Sequence, residues 1–595
     1  MCTESDQIIN QIQVGATLQT NSNQIITITL AGEAGKGIQS VEHILTRALK
    51  LSGYHIFSTK EYMSRVRGGS NSTQIRVSSR PVNCMSRYCD LLLPMDLASA
   101  NRMKDYLSEN GLIIADTSVA KHIDSAKYTI ISAPIAQFSK ELGAAYYSNV
   151  ILAGIICGIL NIEKNILNQN VKTIFSKKTT DIVLKNLEAA KHGYSMGLQI
   201  SSENKLSIKL TPNPETSNNI LVNGSEAVGL GAIAGGCNFI ASYPMSPSTG
   251  VLTYLSRHAK EFGIIAEQAE DEIAVINMAL GAWYAGARAL VTTSGGGFAL
   301  MEEGISLAGI TELPVVVHLA QRPGPGTGLP TRTEQGDLEM ALYSGHGEFP
   351  RMIFAPGELN QAFTLTKHAF NMSDKYQIPV FILTDQYTMD TYYDIPELGL
   401  PFEKPVHHTI KTTKEYQRYA LTQNGVSPRG IPSHGKGLVL VDSDEHDESG
   451  RITEDLELRI KMTEKRLKKF QTMKPDLLPP SIYRFSPETD KEDIYVICWG
   501  STLNPVKKAL EMLSNPNITL LHFSQPFPIP DDAIAILSDT KKIISIEGNA
   551  TGQFSRILQG HYAIQTQHLI TKFNGMQFTP EELVDRISKA LKEVA

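Results

Sequence analysis

The chain has 595 residues, of which 42% are hydrophobic and 19% are charged, as is usual for globular proteins. Its 55 Lys and Arg against 61 Asp and Glu give a net charge of −6, which argues against a nucleic-acid-binding surface spread over the whole chain. The N-terminus lacks a signal-peptide pattern and no apolar run approaches ~20 residues, so we expect a cytoplasmic protein without a membrane span.

The six cysteines are scattered along the chain, and only Cys84 and Cys89 lie close together. Their C-x4-C spacing, with no second pair, matches neither a zinc site nor an iron–sulfur cluster. We therefore predict free thiols and no metal site in this chain.

Alternating strand and helix patterns predict an α/β protein with three open α/β domains. Residues 1–23 are polar and form either a leader or a short irregular arm. The predicted order after this arm is a first domain over 24–198, a linker over 199–219, a second domain over 220–395, a connector with a charged, solvated helix over 396–489, and a third domain over 490–595.

The first domain opens with a strand from Ile25 to Leu30, a turn containing Gly35 and Gly37, and a helix from Ile38 to Leu51. Such a turn can bring backbone N–H groups close to a phosphate. The glycine spacing matches neither a P-loop nor a dinucleotide fingerprint, so a purely structural turn is an equal alternative.

A basic loop follows, in which Arg65, Arg67 and Arg76 flank Gly68 and Gly69. Guanidinium and exposed backbone N–H groups together can bind a phosphate or a carboxylate. A solvated basic hairpin is the alternative.

The central stretch from Ile240 to Gly297 carries the strongest signal. A strand leads into the turn Tyr243–Ser248, Glu272 begins a helix of small residues, and a second strand ends in a glycine loop. This order is typical of a cofactor site at the carboxyl ends of a parallel sheet. Glu272 taken alone could equally be a carboxylate that caps an ordinary helix.

The loop over residues 321–337 is dense in Gly and Pro and contains Arg322, Arg332 and Glu334. Loops of this length inside a compact domain are usually functional.

These motifs together resemble the α subunit of 2-oxoacid:ferredoxin oxidoreductases of the 2-oxoglutarate type, with a γ domain fused at its N-terminus. The first domain is similar to the γ domain in AGEAGKGIQS and RVRGGSNSTQIRVS. The second domain resembles a thiamine pyrimidine-binding domain in its Tyr-Pro-Met-Ser-Pro-Ser turn, in TSGGGF and in RPGPGTGLPTRTEQGDL. The third resembles a transketolase C-terminal-like domain, so that the resemblance covers nearly the whole chain.

The resemblance implies a role for individual residues. Glu272 would activate thiamine diphosphate at N1′, and an arginine, preferably Arg332 with Arg322 as second choice, would hold the substrate carboxylate. The remaining implied contacts are Tyr243, Pro244 and Met245 to the thiamine cofactor, Ser246 and Ser248 to the substrate, and Gly35, Gly37, Arg67 and Gly68 to coenzyme A.

The implied reaction is oxidative decarboxylation of a 2-oxoacid to an acyl-CoA and CO2, with electrons passed to ferredoxin. The chain lacks a Gly-Asp-Gly…Asn motif and a cysteine cluster. We therefore expect Mg²⁺ and a [4Fe–4S] cluster on a separate β subunit in an (αβ)2 heterotetramer, with no nucleic-acid or membrane partner. The resemblance favours 2-oxoglutarate, while pyruvate and branched-chain 2-oxoacids are alternatives.

Two other classes of protein compete with this interpretation. A non-oxidative thiamine enzyme would need the Mg²⁺-binding motif in this chain, where it is absent. A non-catalytic nucleotide-binding protein would leave Glu272 and the glycine loop unexplained.

Overall fold

A computed structural model describes residues 24–64, 69–204, 206, 208–398, 404–485, 494–515, 517–540 and 542–594. The chain divides into two compact units. The first comprises the described residues up to Val222 together with Thr391–Glu397, and the second comprises Asn223–Asp390 and the described residues from Leu398 onward. The predicted N-terminal arm, residues 1–23, lies outside the described residues.

An eight-stranded mixed sheet forms the centre of the first unit. Its strands are β1 (Ile25–Glu33), β2 (His55–Glu61), β3 (Ser70–Ser78), β4 (Cys89–Pro94), β5 (Leu107–Asp116), β6 (Thr129–Ala133), β7 (Asn219–Asn223) and β14 (Tyr392–Pro396), in the order β6-β5-β4-β1-β3-β2-β14-β7. The helices are α1 (Ile38–Leu51), α2 (Leu97–Met103), α3 (Thr117–Ala120), α4 (Ile135–Glu141), α5 (Ser148–Ile159), α6 (Lys164–Phe175) and α7 (Thr180–Glu203).

Helix packing in the first unit follows from the sequence pattern. The apolar residues of α1 recur at helical spacing, and Val41, Leu45 and Leu49 are buried. The helices α5 and α7 pack so closely that a Cβ at Gly158 or Gly197 would overlap the backbone of the other helix. Small residues at such a contact allow two helix backbones to approach.

The first sheet extends beyond the predicted first domain. β14 pairs with β2 in antiparallel orientation, and Asp394 of β14 accepts a hydrogen bond from the backbone N–H of Ile56 at 2.9 Å. The same carboxylate lies 2.8 Å from Nδ1 of the buried His55, so the two buried groups are hydrogen-bonded to each other. The predicted domain boundary at residue 395 therefore falls inside β14, and the predicted linker over 199–219 includes the end of α7.

The second unit begins with a six-stranded parallel sheet in the order β12-β13-β11-β10-β8-β9. Its strands are β8 (Phe239–Ser242), β9 (Ile265–Gln268), β10 (Ala289–Thr293), β11 (Val315–Gln321), β12 (Met352–Phe354) and β13 (Pro379–Asp385). The helices are α8 (Gly224–Ala234), α9 (Thr249–Phe262), α10 (Glu272–Tyr284), α11 (Gly295–Phe298), α12 (Glu302–Thr311), α13 (Leu338–Leu342), α14 (Leu359–Tyr376) and α15 (Gln386–Asp390).

The C-terminal part of this unit contains the connector and a five-stranded sheet in the order β17-β19-β18-β20-β21. The connector holds β15 (Thr409–Thr412), β16 (Arg429–Gly435) and α16 (Leu456–Thr472). The last sheet and its helices are β17 (Ser481–Arg484), β18 (Ile494–Trp499), α17 (Leu503–Leu513), β19 (Ile518–Phe523), α18 (Asp531–Ser538), β20 (Ile543–Glu547), α19 (Gln553–Tyr562), β21 (His568–Thr571) and α20 (Pro580–Val594).

The expectation that the connector helix is solvated is wrong for one face of α16. Lys465 and Lys469 are buried, and the Nζ atom of each lies 2.6 Å from a carboxylate oxygen of Glu312, at the end of α12. Burial lowers the pKa of the Lys469 ammonium to about 8. Burial alone would raise the pKa of the Glu312 carboxyl, but the two ammonium groups hold this pKa well below its usual range. The helix is therefore fixed to the sheet domain by buried ion pairs.

None of the described helices combines the length and the apolar character that a membrane crossing requires.

Candidate active site

Three segments of the second unit follow neighbouring parallel strands. They are the turn Tyr243–Ser248 after β8, the glycine segment Ser294–Gly297 after β10, and the loop over residues 322–337 after β11. Because carboxyl ends of parallel strands meet at one edge of the sheet, these segments lie at the same edge.

Glu272 occupies the first position of α10 and is only 2% exposed. Its neighbour Asp271 caps the helix, since Asp271 Oδ1 accepts a hydrogen bond from the N–H of Ala274 at 2.8 Å. Among the described residues, Oε1 of Glu272 has no hydrogen-bond partner. Burial, together with the charge of Asp271, raises the pKa of the Glu272 carboxyl. The capping role therefore belongs to Asp271, and Glu272 is a buried acid with an unused oxygen.

The glycine segment after β10 lies directly against this carboxyl. A Cβ at Gly297 would overlap both Oε1 of Glu272 and Oγ1 of Thr293. Only glycine allows the carboxyl to lie against this backbone.

The turn after β8 presents part of its predicted site to solvent. Tyr243, Pro244 and Ser246 are exposed and Met245 is half-buried. Ser248 is completely buried, and its hydroxyl donates a hydrogen bond to the carbonyl of Met245 at 2.7 Å. The hydroxyl of Ser248 thus stabilises the turn, whereas Ser246 faces outward.

The two candidate arginines of the following loop have different surroundings. Nη1 of Arg322 donates to the carbonyl of Ser246 at 2.8 Å. Nη1 of Arg332 lies 3.1 Å from Sδ of Met576, and the Arg332 side chain packs against Gly575. The structure therefore brings Arg322, the second choice from the sequence, to the turn after β8.

The sequence analysis did not single out Asp337, which ends the same loop. Its Oδ2 atom is buried and has no hydrogen-bond partner within the described residues. Its carboxyl faces Gly295, where a Cβ would lie 2.7 Å from Oδ2. Burial and the nearby Glu334 raise the pKa of the Asp337 carboxyl to about 7, against the opposing effect of Arg322. The sequence signal for Asp337 was its position at the end of the charged loop, directly before α13.

A row of buried polar side chains crosses the sheet next to the site. His318 on β11 lies 2.8 Å from Oγ1 of Thr292 on β10 and 2.8 Å from Oγ1 of Thr384 on β13. Burial lowers the pKa of His318 to about 3, so the imidazole is neutral. It joins three adjacent strands just below the edge that carries the site.

The predicted coenzyme A residues belong to the first unit. Gly35 (φ 89°) and Gly37 (φ 85°) both adopt the left-handed conformation that favours glycine. Arg67 and Gly68 lie outside the described residues. Arg76 is buried and donates from Nη1 to the carbonyl of Cys84 at 2.6 Å, so the expectation that it flanks a phosphate loop is wrong.

Two parts of the chain match known protein families. Residues 230–465 match the family described as pyruvate flavodoxin/ferredoxin oxidoreductase, thiamine diphosphate-binding. Residues 27–196 match the family described as pyruvate ferredoxin/flavodoxin oxidoreductase.

Relatives match over most of the chain. The 2-oxoacid:ferredoxin oxidoreductase subunit alpha of Saccharolobus solfataricus is 30% identical over 96% of this chain and 98% of its own length. The 2-oxoglutarate synthase subunit KorA of Archaeoglobus fulgidus is 32% identical over 62% of this chain and 99% of its own. A 2-oxoglutarate:ferredoxin oxidoreductase structure from Magnetococcus marinus, with 2-oxoglutarate, coenzyme A and succinyl-CoA bound, is 29% identical with a TM-score of 0.88, covering 95% of this chain and 99% of that one.

The parallel sheet with a buried acid at its carboxyl edge thus defines a thiamine diphosphate-binding domain of an oxidoreductase. The chain belongs to the family of 2-oxoacid:ferredoxin oxidoreductase alpha subunits. The resemblance and the α/β fold class predicted from the sequence are confirmed.

Proposed function

We propose that this chain and a separate β subunit catalyse the oxidative decarboxylation of 2-oxoglutarate to an acyl-CoA and CO2, with electrons passed to ferredoxin. The observation that carries the proposal is the buried Glu272, whose Oε1 has no partner among the described residues. A buried carboxyl of this kind is costly unless a ligand completes its hydrogen bonding.

The residues at this edge fit thiamine diphosphate. Glu272 would share a proton with N1′ of the aminopyrimidine ring, a role that the raised pKa of its carboxyl favours. The glycine at position 297 keeps side chains away from that contact. Thiamine diphosphate supplies, when bound, the carbanion-stabilising chemistry that loss of CO2 from a 2-oxoacid requires.

Arg322 and Ser246 would hold the substrate. A guanidinium binds a carboxylate in a charge-assisted, directional manner. Arg322 is already oriented toward the turn that carries the exposed Ser246. Two similarities favour 2-oxoglutarate as the substrate: the Archaeoglobus relative is named a 2-oxoglutarate synthase subunit, and the Magnetococcus structure holds 2-oxoglutarate.

The β subunit would supply the Mg²⁺ that holds the diphosphate and the [4Fe–4S] cluster that passes electrons to ferredoxin. Large apolar side chains are exposed on segments at or near the site edge, namely Tyr243, Ile273, Leu300 and Leu329. Exposed apolar and aromatic residues around an incomplete site suit a protein partner. We propose an (αβ)2 assembly.

Coenzyme A would bind to the first unit, near the turn that contains Gly35 and Gly37. The Magnetococcus relative supports this part of the proposal, since its structure holds coenzyme A.

Reconstitution tests the proposed function. The chain should be purified alone and together with its β subunit, and reduction of ferredoxin should be followed with a panel of 2-oxoacids and coenzyme A. We expect activity from the complex alone, with the highest kcat/KM for 2-oxoglutarate. Turnover by the isolated chain, or preference of the complex for pyruvate, would contradict the proposal.

A further inference from the structure

Asp337 has the surroundings of a ligand-binding group, although neither the sequence motifs nor the proposal above gives it a role. Its Oδ2 is buried and finds no donor among the described residues. No hydrogen bond compensates for ionisation of such an oxygen, so its burial favours the protonated acid.

Hydrogen bonds fix the backbone that carries this carboxyl. The N–H of Asp337 donates to Oε1 of Gln321 at 3.0 Å, and Nε2 of Gln321 donates to the carbonyl of Thr384 at 3.1 Å. The end of the loop is therefore tied to its beginning and to β13. The packing against Gly295 leaves no room for a side chain between the carboxyl and α11.

Asp337 also lies at the proposed active site. The Asp337 carboxyl packs against Gly295, the first residue of α11, and the Glu272 carboxyl packs against Gly297, the third. Arg322 is close enough to act on Asp337 electrostatically, but its Nη1 donates to the carbonyl of Ser246. The two side chains therefore lie near each other, with Arg322 Nη1 bound to the Ser246 carbonyl and Asp337 Oδ2 without a donor among the described residues.

The charged groups that act on Asp337 come from its own loop. They are Glu334, which disfavours ionisation, and Arg322, which favours it. The other two elements packed against Asp337 contribute neutral residues, Gly295 from α11 and Gln321 from β11.

We propose that Asp337, in its protonated form, is a substrate-binding residue that donates a hydrogen bond to an anionic oxygen of the 2-oxoacid held by Arg322. The inference rests on the proposed function. A hydrogen bond from a neutral acid to an anionic oxygen is short and strong, whereas an ionised carboxylate at the same place would repel the substrate. Substrate binding should therefore weaken as Asp337 ionises.

The αβ complex with its cofactors allows a direct test through the variant Asp337→Asn, which keeps a donor and cannot titrate. KM and kcat for 2-oxoglutarate should be measured between about pH 6 and about pH 9, where both substrate carboxyls are already ionised. We expect the KM of the unmodified complex to rise about tenfold per pH unit above about 7, with kcat little changed. The KM of Asp337→Asn should stay flat and low over the same range.

The matched control is Glu334→Gln, which removes a neighbouring carboxylate from the same loop. It should keep the rise in KM but move its onset to lower pH, because Glu334 disfavours ionisation of Asp337. A flat KM in the unmodified complex would overturn the role of Asp337, as would an unchanged rise in Asp337→Asn or a pH effect confined to kcat. Binding of thiamine diphosphate to each variant, followed by fluorescence titration, establishes that the site is folded. Absence of any 2-oxoacid oxidation by the unmodified complex would instead refute the proposed function, so the two failures are distinguishable.

Discussion

The carboxyl oxygen Oε1 of Glu272 and the backbone of Gly297 are packed so closely that a side chain at position 297 would displace the acid. At Gly296 the situation differs, because the nearest atom to an added Cβ is the carbonyl oxygen of Gly326 at 3.7 Å, an ordinary contact. Neighbouring glycines of one segment thus differ in whether they tolerate a methyl group.

This difference predicts that Gly297→Ala lowers kcat/KM of the αβ complex by about 100-fold, because it displaces the carboxyl of Glu272, the acid proposed to activate the cofactor. Gly296→Ala should stay within a few-fold of the unmodified complex. Steady-state rates with 2-oxoglutarate measure both variants. Equal losses of kcat/KM in the two variants would show that activity depends on the glycine segment as a whole and not on its contact with Glu272.

Glu272→Gln should lower kcat by about 100-fold or more, because the amide cannot exchange the proton that the carboxyl holds. Glu270→Gln, which changes an exposed carboxylate two residues earlier, should have little effect. The comparison is made in the reconstituted complex with saturating thiamine diphosphate. Full activity of the Glu272 variant would rule out its assigned role.

The two arginines of the loop can be separated by conservative substitution. Arg322→Lys should raise KM for 2-oxoglutarate by roughly 10- to 100-fold, the loss expected when hydrogen bonds to a charged group are weakened. Arg332→Lys should change KM less, because the guanidinium of Arg332 lies against Met576. The opposite ranking in initial-rate measurements would restore Arg332 as the residue that binds the carboxylate.

Glu312→Gln should destabilise the protein by about 3–5 kcal/mol, since it leaves Lys465 and Lys469 buried without their carboxylate. Glu303→Gln, on the exposed face of the same helix, should change stability by no more than about 0.5 kcal/mol. Urea unfolding followed by circular dichroism compares the two. A small shift of the midpoint in both variants would show that the buried ion pairs contribute little.

The burial of His318 should make the stability of the protein depend on pH. The imidazole is neutral in the folded protein, where its pKa is about 3, and it takes up a proton in the unfolded chain below about pH 6.5. Its contribution to the free energy of unfolding is therefore complete above pH 6.5 and is lost as the pH falls toward 3. At pH 5 the loss relative to neutral pH is about 2 kcal/mol.

Urea midpoints at about pH 7.5 and about pH 5 test this dependence. The difference between the two pH values should be smaller in His318→Gln than in the unmodified chain. The exposed His407→Gln should keep the full difference. An unchanged difference in the His318 variant would refute the assignment.

Several helices could be predicted from the sequence pattern of nearby residues alone. The apolar spacing between two glycines predicts α1 at its observed limits, Ile38–Leu51, and the position of Glu272 at the start of α10 is also as predicted. These features depend on residues within one or two helical turns.

Features that depend on distant partners were not predictable. The lysines of α16 look like a solvated face, because their partner Glu312 is 153 residues from Lys465. The position of β14 beside β2 depends on Asp394, which lies 339 residues from His55. Similarly, the loop sequence alone does not distinguish Arg322 from Arg332.

The place of β14 in the first sheet limits how this polypeptide can be divided. A fragment that stops at residue 198 would lack β7 and β14, would expose the hydrogen-bonding edge of β2 and would leave His55 without Asp394. Unpaired strand edges promote aggregation. A single cleavage therefore does not release an intact first unit, and an autonomous version of this unit has to carry residues 391–397 as a grafted strand.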